Sequence, residues 1–497
     1  MHNTGNHRYL FMLLAAPLAA GCHARSPYSA PAPPASSTYT SHDATTTTAA
    51  PQAQHTPHAQ QLINAARLDA DWWKSFHSPT LNRMVEEALA HSPTLDQARA
   101  RLRQAEESYR ATRGAKLSPV ATLNAGEKEQ QNDLHTMGLP NTIKNPDAFA
   151  LTSVSLDVSY SFDFNGGTQH TLAASHAQLD LQRNELAAAQ LAIEGNVVLT
   201  AIDEAKTRAQ MHSIEHICAL KEERIAILNT QLEAGAITRS ELEQQQQSVA
   251  QSHAQIDALA LHLEQTRAQL AVYLGHEPAD QNQEALTLDA LELPTELALT
   301  LPSSLAAQRP DILAADALVR ERGAEVGMAQ ANLYPRFTLS SSLATERRSF
   351  GDLIDGLNVW SLGAGIAQPL WNGGQLKAQK HKADAAYQEA LAAYKQTVLD
   401  GLFQVAKALS ALEHDARQLD HLAQASAHAR AQESLTESRY KLGGASRLDS
   451  IQAELNTLST EQEEITASAA RLSDSAALMT ALGGGTISAS SHEPPRK

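Results

Sequence analysis

Cysteine is almost missing from this chain: Cys22 and Cys218 are the only two in 497 residues. A disulfide framework is therefore excluded as the source of stability. Aromatic residues make up only 4 %, too few for a thick globular core. No uninterrupted run of eighteen apolar residues occurs, so no transmembrane helix is expected. Basic residues are outnumbered, 39 Lys+Arg against 55 Asp+Glu, a net charge of -16. Such a chain does not neutralise phosphates, which excludes nucleic acid as a partner. Also absent are a phosphate-binding glycine loop, a Walker motif and a Gly-x-Ser-x-Gly nucleophile turn.

Alanine, glutamine and leucine dominate, the composition of long helices. Length alone suggests two or three domains. At the N-terminus, Arg8 precedes "YLFMLLAAPLAAGC", a charged start, an apolar stretch and small residues before a cleavage point. This is a secretory signal over residues 1–21. Its end, "LAAGC", resembles a bacterial lipobox, with Ala19 where leucine is commoner. Cys22 would then carry the lipid, palmitate included, and become the mature N-terminus. An ordinary signal peptide with an incidental cysteine is the alternative. His23 rather than Asp follows, which by resemblance to bacterial sorting rules favours the outer membrane. Residues 22–70 are rich in Pro, Ser and Thr and read as an extended tether.

The body of the chain is a duplication. A shift of about 208 residues lays "LEAGAITRSELE" on "YKLGGASRLDSI". Gly235 then matches Gly443, Thr238 matches Ser446, and Arg239 matches Arg447. "DFNGG", with Gly166 and Gly167, matches "LWNGG", with Gly373 and Gly374. Pro119 in "AKLSPVATLN" matches Pro335 in "ANLYPRFTLS". The repeats span 71–275 and 304–485, with a linker at 276–303 and a tail at 486–497. Each has the order helix, strand, strand, helix, turn, helix. Apolar residues at Tyr387, Leu391, Tyr394, Val398, Leu402 and Val405 form one helical stripe. Leu172, Leu179, Leu186 and Ile193 form a coiled-coil seam. Long helices at about 168–233 and 375–441 would each run roughly 100 Å. Shorter ones, about 80–116 with 238–274 and 304–333 with 446–482, would lie end to end beside them in a rod.

Strands are expected at about 118–126, 152–164, 335–346 and 359–371. Val154, Leu156, Val158, Tyr160 and Phe162 alternate with polar residues, as a membrane barrel with a wet lumen requires. An ordinary half-buried sheet is the alternative. Four strands do not close a barrel, and open edges are forbidden in lipid. If these strands cross a membrane, several chains share one barrel.

The turns at about 235–238 and 443–446 each combine a helix-ending glycine with a capping residue. Gly235, Ala236, Ile237 and Thr238, with Gly443, Gly444, Ala445 and Ser446, are the candidate tips. Asp449 admits two readings, a helix cap and a carboxylate ringing an aperture. Glu241 reads as a cap. "HSIEH" matches a zinc-protease pattern through His212 and His216, but it falls in mid-coiled-coil with no third ligand evident. His414, His421 and His428 line one face about 10 Å apart, too far for one metal. Cys218 reads as a small apolar helix residue.

Together these pieces resemble the TolC family of outer-membrane channels, in its OprM/NodT-type lipoprotein branch. The stretches that carry this are "QRPDILAADALVR", "ANLYPRFTLS" and "IAQPLWNGG", supported by "WWKSF", "LNRMVEEALAHSPTL" and both glycine turns. The resemblance implies a mainly α fold with a small β part. Duplicated halves would form a trimeric α-helical tunnel topped by a shared 12-stranded transmembrane β-barrel, with an equatorial belt from the linker and chain ends. It implies a homotrimer working with a periplasmic adaptor and an inner-membrane pump of RND type, seated in outer-membrane lipid. It implies no enzyme, no catalytic residue, no cofactor and no metal. Two departures stand out. The "GPDY" signature after the cysteine is only echoed by "SPYSAP", and Gln452 stands where a second acid often follows Asp449. A type I secretion channel and a lipid-anchored periplasmic coiled-coil adaptor or scaffold are the alternatives. A zinc hydrolase rests on "HSIEH" alone.

Overall fold

The structure is a computed structural model. It describes residues 26–485 except 33, 35, 41–45, 65–68, 132–137, 139, 141, 143, 145, 281–283, 349–355 and 357–358. Cys22, the signal segment and the tail 486–497 lie outside the described residues. The chain divides into two compact units. One comprises Met1–Pro31, Leu102–Leu181 and Asp316–Ala393; the other comprises Ala32–Arg101, Gln182–Ala315 and Tyr394–Lys497.

In chain order the strands are β1 (Gln61–Asn64), β2 (Val120–Gln130), β3 (Phe149–Phe162), β4 (Glu296–Leu299), β5 (Arg336–Arg347) and β6 (Val359–Ala367). The helices are α1 (Pro79–His91), α2 (Pro93–Leu117), α3 (Gly167–Glu233), α4 (Arg239–Leu274), α5 (Pro302–Gln308), α6 (Pro310–Ala331), α7 (Gln375–Lys441) and α8 (Arg447–Ala481). The repeat is metrically close: α3 and α7 both have 67 residues, and α4 and α8 have 36 and 35.

Two helices expected to be continuous are broken. The 80–116 segment is α1 and α2, divided at Ser92; the 304–333 segment is α5 and α6, divided at Arg309. Both breaks precede a proline, which clashes with a helical residue before it. Ser92 and Arg309 are accordingly extended, with ψ of 120° and 122°. A third expectation also changes. α3 holds an eighteen-residue window apolar enough to cross a membrane by length and composition. Its polar interruptions hid it from a search for unbroken apolar runs. Ile193, Val197, Val198, Ala201 and Ile202 of α3 lie instead in the core of the second unit.

The first unit is organised by one antiparallel sheet of order β2-β3-β5-β6. Residues 26–31 are not a free tether there. Tyr28 donates its hydroxyl to Asp316 at 3.0 Å, and Tyr387 donates to the Pro27 carbonyl at 3.2 Å. Burial, then the Asp316 carboxylate, pushes the Tyr28 phenol up to about 12.

The second unit is built on a core of Trp72, Trp73, Phe76, Leu81, Val85 and Leu95 with α3, α4, α7 and α8. Here too the tether reading is corrected. β1 pairs in parallel with β4, and Ala50, Thr56 and Gln60 are fully buried. The cause is Arg471 of α8, itself fully buried. It donates to the carbonyls of Thr56, His58 and Thr48 at 3.0, 2.7 and 3.4 Å, and to Thr47 Oγ1 and Gln60 Oε1. One guanidinium thus satisfies three carbonyls and two side-chain oxygens of a polar segment. Burial pulls Arg471 down to about 10, still charged at neutral pH.

Candidate functional site

Register decides what the sheet can do. Leu123, Leu156, Leu343 and Trp360 align across all four strands, and Phe162, Phe337 and Ile366 across three. Side chains one residue along point to the other face. That face carries Thr122, Asp157, Ser342 and Ser361 in one row, and Val120, Ser159, Ser340 and Gly363 in another, so it is mainly polar. The sheet is therefore apolar on one side and polar on the other. Its apolar side is bare: Trp360 is 75 % exposed and Leu362 67 %. At one end Phe162, Phe164 and Phe337 pack ring to ring, with centroids 5.8 and 4.8 Å apart, and Trp371 is 90 % exposed. Strands of 9 to 14 residues match the length needed to cross a bilayer. Among the described residues β2 and β6 each have one unpaired edge in this sheet.

The glycines at the strand-to-helix junctions have separate jobs. Gly166, Gly373 and Gly374 adopt left-handed φ of 79°, 61° and 84°, where a side chain would be strained. Gly167 instead permits close approach, since a Cβ there would sit 3.2 Å from Ala331 Cβ.

Both tips end a helix in the same way. Gly235 N–H donates to Leu232 O and Ala236 N–H to Gln231 O; Gly443 N–H donates to Tyr440 O and Gly444 N–H to Arg439 O. These are paired Schellman closures around glycines with φ of 70° and 74°. Thr238 and Ser446 then open α4 and α8 with complete capping boxes. Ile237 and Ala445 are half-buried and the other tip residues exposed. Asp449 Oδ2 accepts from Ser446 N–H at 2.9 Å and Oγ–H at 2.7 Å. These bonds, the backbone one first, hold its carboxyl below the usual range. Glu241 is held down in the same way by Thr238.

The two hairpins of one chain are tied near these tips, which sequence reasoning missed. Arg447 donates from Nε and Nη2 to Glu223 of α3 at 2.7 and 2.8 Å. Arg224 donates to Gln452 at 2.6 Å. A long-range pair of this kind has no local sequence signal beyond an arginine at the start of α8.

The histidines noted in sequence do not converge. His212 is exposed, and His216 faces Glu454 at 3.3 Å. His414, His421 and His428 are exposed, and His414 meets Arg417 at 3.3 Å. Cys218 is buried, with His253 and Glu222 as neighbours. Burial, then the Glu222 carboxylate, pushes its thiol up.

A two-faced sheet with open edges, joined to helices of 67 residues, defines the outer-membrane channel fold. The outer-membrane protein VceC of Vibrio cholerae shares it, with a TM-score of 0.73 and 26 % identity over 84 % of this chain and 100 % of that one. OpmQ of Pseudomonas aeruginosa, a pyoverdine export outer membrane protein, is 30 % identical over 86 % of this chain and 91 % of its own. OprJ of the same organism, an outer membrane protein, is 26 % identical over 88 % and 91 %. The profile of the family described as "Outer membrane efflux protein" matches residues 84–276 and 301–484. The chain belongs to this family, the TolC family, in its OprM/NodT-type branch. It is an outer-membrane efflux channel, a passive conduit and not an enzyme. Members of the family form trimeric channels that work with an adaptor and an inner-membrane pump.

Proposed function

We propose that three copies of this chain close one barrel of twelve strands, with the apolar face toward lipid and the Ser/Thr-lined face toward the lumen. The observation that carries this reading is the sheet itself. It has a bare apolar face and two open edges, and unpaired edges are not tolerated in a bilayer. Residues 1–21 are the removed signal, Cys22 carries the lipid anchor, and 71–275 and 304–485 are the working repeats. The turns at Gly235–Thr238 and Gly443–Ser446 are the periplasmic tips that meet the adaptor. Leu442, 88 % exposed beside Gly443, suits such a contact. The lipoprotein form favours an RND-type pump delivering small molecules. Asp449 starts a helix; its cap bonds account for one carboxylate oxygen and leave the other free to face a lumen.

The test is full-length protein extracted from outer-membrane fractions. It should run as a heat-sensitive trimer and conduct ions in a planar bilayer, and Cys22→Ser should abolish palmitate incorporation. A detergent-independent, non-conducting monomer refutes the channel assembly, and unchanged lipid labelling refutes the anchor.

A further inference from the structure

Midway along the α3–α4 hairpin, three side chains able to ligate a metal converge. Cys218 and Glu222 lie one turn apart on α3, and His253 reaches them from α4. Cys218 Sγ is 3.3 Å from His253 Nε2. That nitrogen is 3.1 Å from Glu222 Oε1, and Sγ is 3.9 Å from the same oxygen. Zinc bonded tetrahedrally, at about 2.3 Å to sulfur and about 2.0–2.2 Å to nitrogen and oxygen, holds its donors roughly 3.3–3.6 Å apart. The observed sides of 3.1, 3.3 and 3.9 Å bracket that range, so a shift of a few tenths of an ångström in Glu222 completes the triangle. Among the described residues no other three such groups come this close.

The duplication supplies an internal comparison. A shift of 208 residues carries Cys218 to Ser426, Glu222 to Arg430 and His253 to Glu461. In the second hairpin Arg430 Nε donates to Glu461 at 2.9 Å, an ordinary ion pair bridging α7 and α8. The fold therefore does not need a thiol, an acid and an imidazole at this level. In the first hairpin the cation has become an acid and the acid a histidine, with a thiol added beside them. The permanent positive charge that Arg430 supplies has no counterpart among those three side chains. Lys221, the neighbouring cation on α3, is turned to Ser252 Oγ at 2.8 Å.

We propose that Cys218, Glu222 and His253 bind a borderline divalent cation of the zinc class, which bridges α3 and α4 as the Arg430–Glu461 pair bridges α7 and α8. Thiolate and imidazole select zinc or cobalt over magnesium and calcium, and the carboxylate disfavours cuprous ion. Glu222 and His253 are each more than half exposed, so the ion enters from solvent and a fourth position stays open.

The test uses untagged, metal-stripped full-length protein titrated with Co²⁺ and then Zn²⁺. One Co²⁺ per chain should bind with a thiolate-to-cobalt charge-transfer band, and Zn²⁺ should displace it. Cys218→Ser should lose the band. His253→Ala should weaken binding more than about tenfold, because even outer-shell changes cost that much. His212→Ala should bind normally. A triple variant, Cys218→Ser with Glu222→Arg and His253→Glu, installs the second repeat's solution. It should keep its helical circular dichroism and bind no cobalt at this stoichiometry. Absence of the band in wild type, or equal affinity in the triple variant, overturns the proposal.

Discussion

Removing the Arg447–Glu223 pair should favour the open tip. It joins the start of α8 to α3 through two parallel hydrogen bonds, so separating the hairpins breaks it. Both side chains are partly exposed, at 33 % and 43 %. Screening then limits the pair to about 0.5–1 kcal/mol, with the two-pronged geometry favouring the upper end. In the proposed trimer three pairs total about 1.5–3 kcal/mol, which shifts a closed-to-open equilibrium roughly 10–150-fold. Glu223→Gln keeps the side-chain shape and removes the charge, and Arg447→Ala removes both bonds. Single-channel open probability in planar bilayers reads the result. Arg239→Ala is the control, because Arg239, the repeat partner of Arg447, pairs among the described residues with Glu243, four residues along its own helix. Arg447 holds the Glu223 carboxyl below its usual 4.5. The pair is therefore intact above that pH and is lost as pH falls through the lower folded value. The rise in opening on acidification below about pH 4.5 should be smaller in Glu223→Gln. An unchanged open probability in both variants, with the trimer intact, would refute the latch.

Glu194 is buried and accepts a hydrogen bond from the Trp72 indole at 3.0 Å. Burial pushes its carboxyl up to about 7. A raised acid destabilises the fold once pH exceeds its unfolded value of 4.5, and fully above about 7. Glu194→Gln should thus stabilise by roughly 3 kcal/mol at pH 8 and by little at pH 4, read by thermal unfolding at both. Gly235→Ala should cost about 1–2 kcal/mol through left-handed strain alone, since its side chain would meet nothing within 4 Å. Gly275→Ala should cost more, because its Cβ would come within 2.4 Å of the His91 carbonyl; unfolding midpoints rank the two. Arg471→Met should orphan the carbonyls of Thr48, Thr56 and His58, at about 1–3 kcal/mol each where they stay buried. Limited proteolysis should then cut within residues 46–64, and unchanged resistance would refute the pinning role.

What the sequence disclosed depends on the range of the interaction. Helix stripes, strand alternation and glycine-plus-capping turns are set within a few residues, and all are visible as patterns. Arg471 acts on residues more than 400 positions away, so nothing near Thr47–Gln60 announces that this polar segment folds. The latch at Arg447 and the cluster at Cys218 fail to show for the same reason: their partners come from another helix. For the cluster, the tip register was the missing link, since it sets which α4 residue meets Cys218. The duplication narrows this gap. Where the halves agree, as at Gly235 and Gly443, Thr238 and Ser446, or the Schellman ends at Gly275 and Gly483, each residue serves a turn that both hairpins need. Where they differ, the fold has accepted two solutions, and the difference marks a duty one half carries alone. Arg447 reaches across to the other hairpin while Arg239 does not. Arg430 pairs with Glu461 while Glu222 meets His253. Exchanging Thr238 and Ser446 should therefore leave assembly and conductance unchanged. Exchanging residues at the divergent positions should preserve folding and alter the latch or the metal affinity.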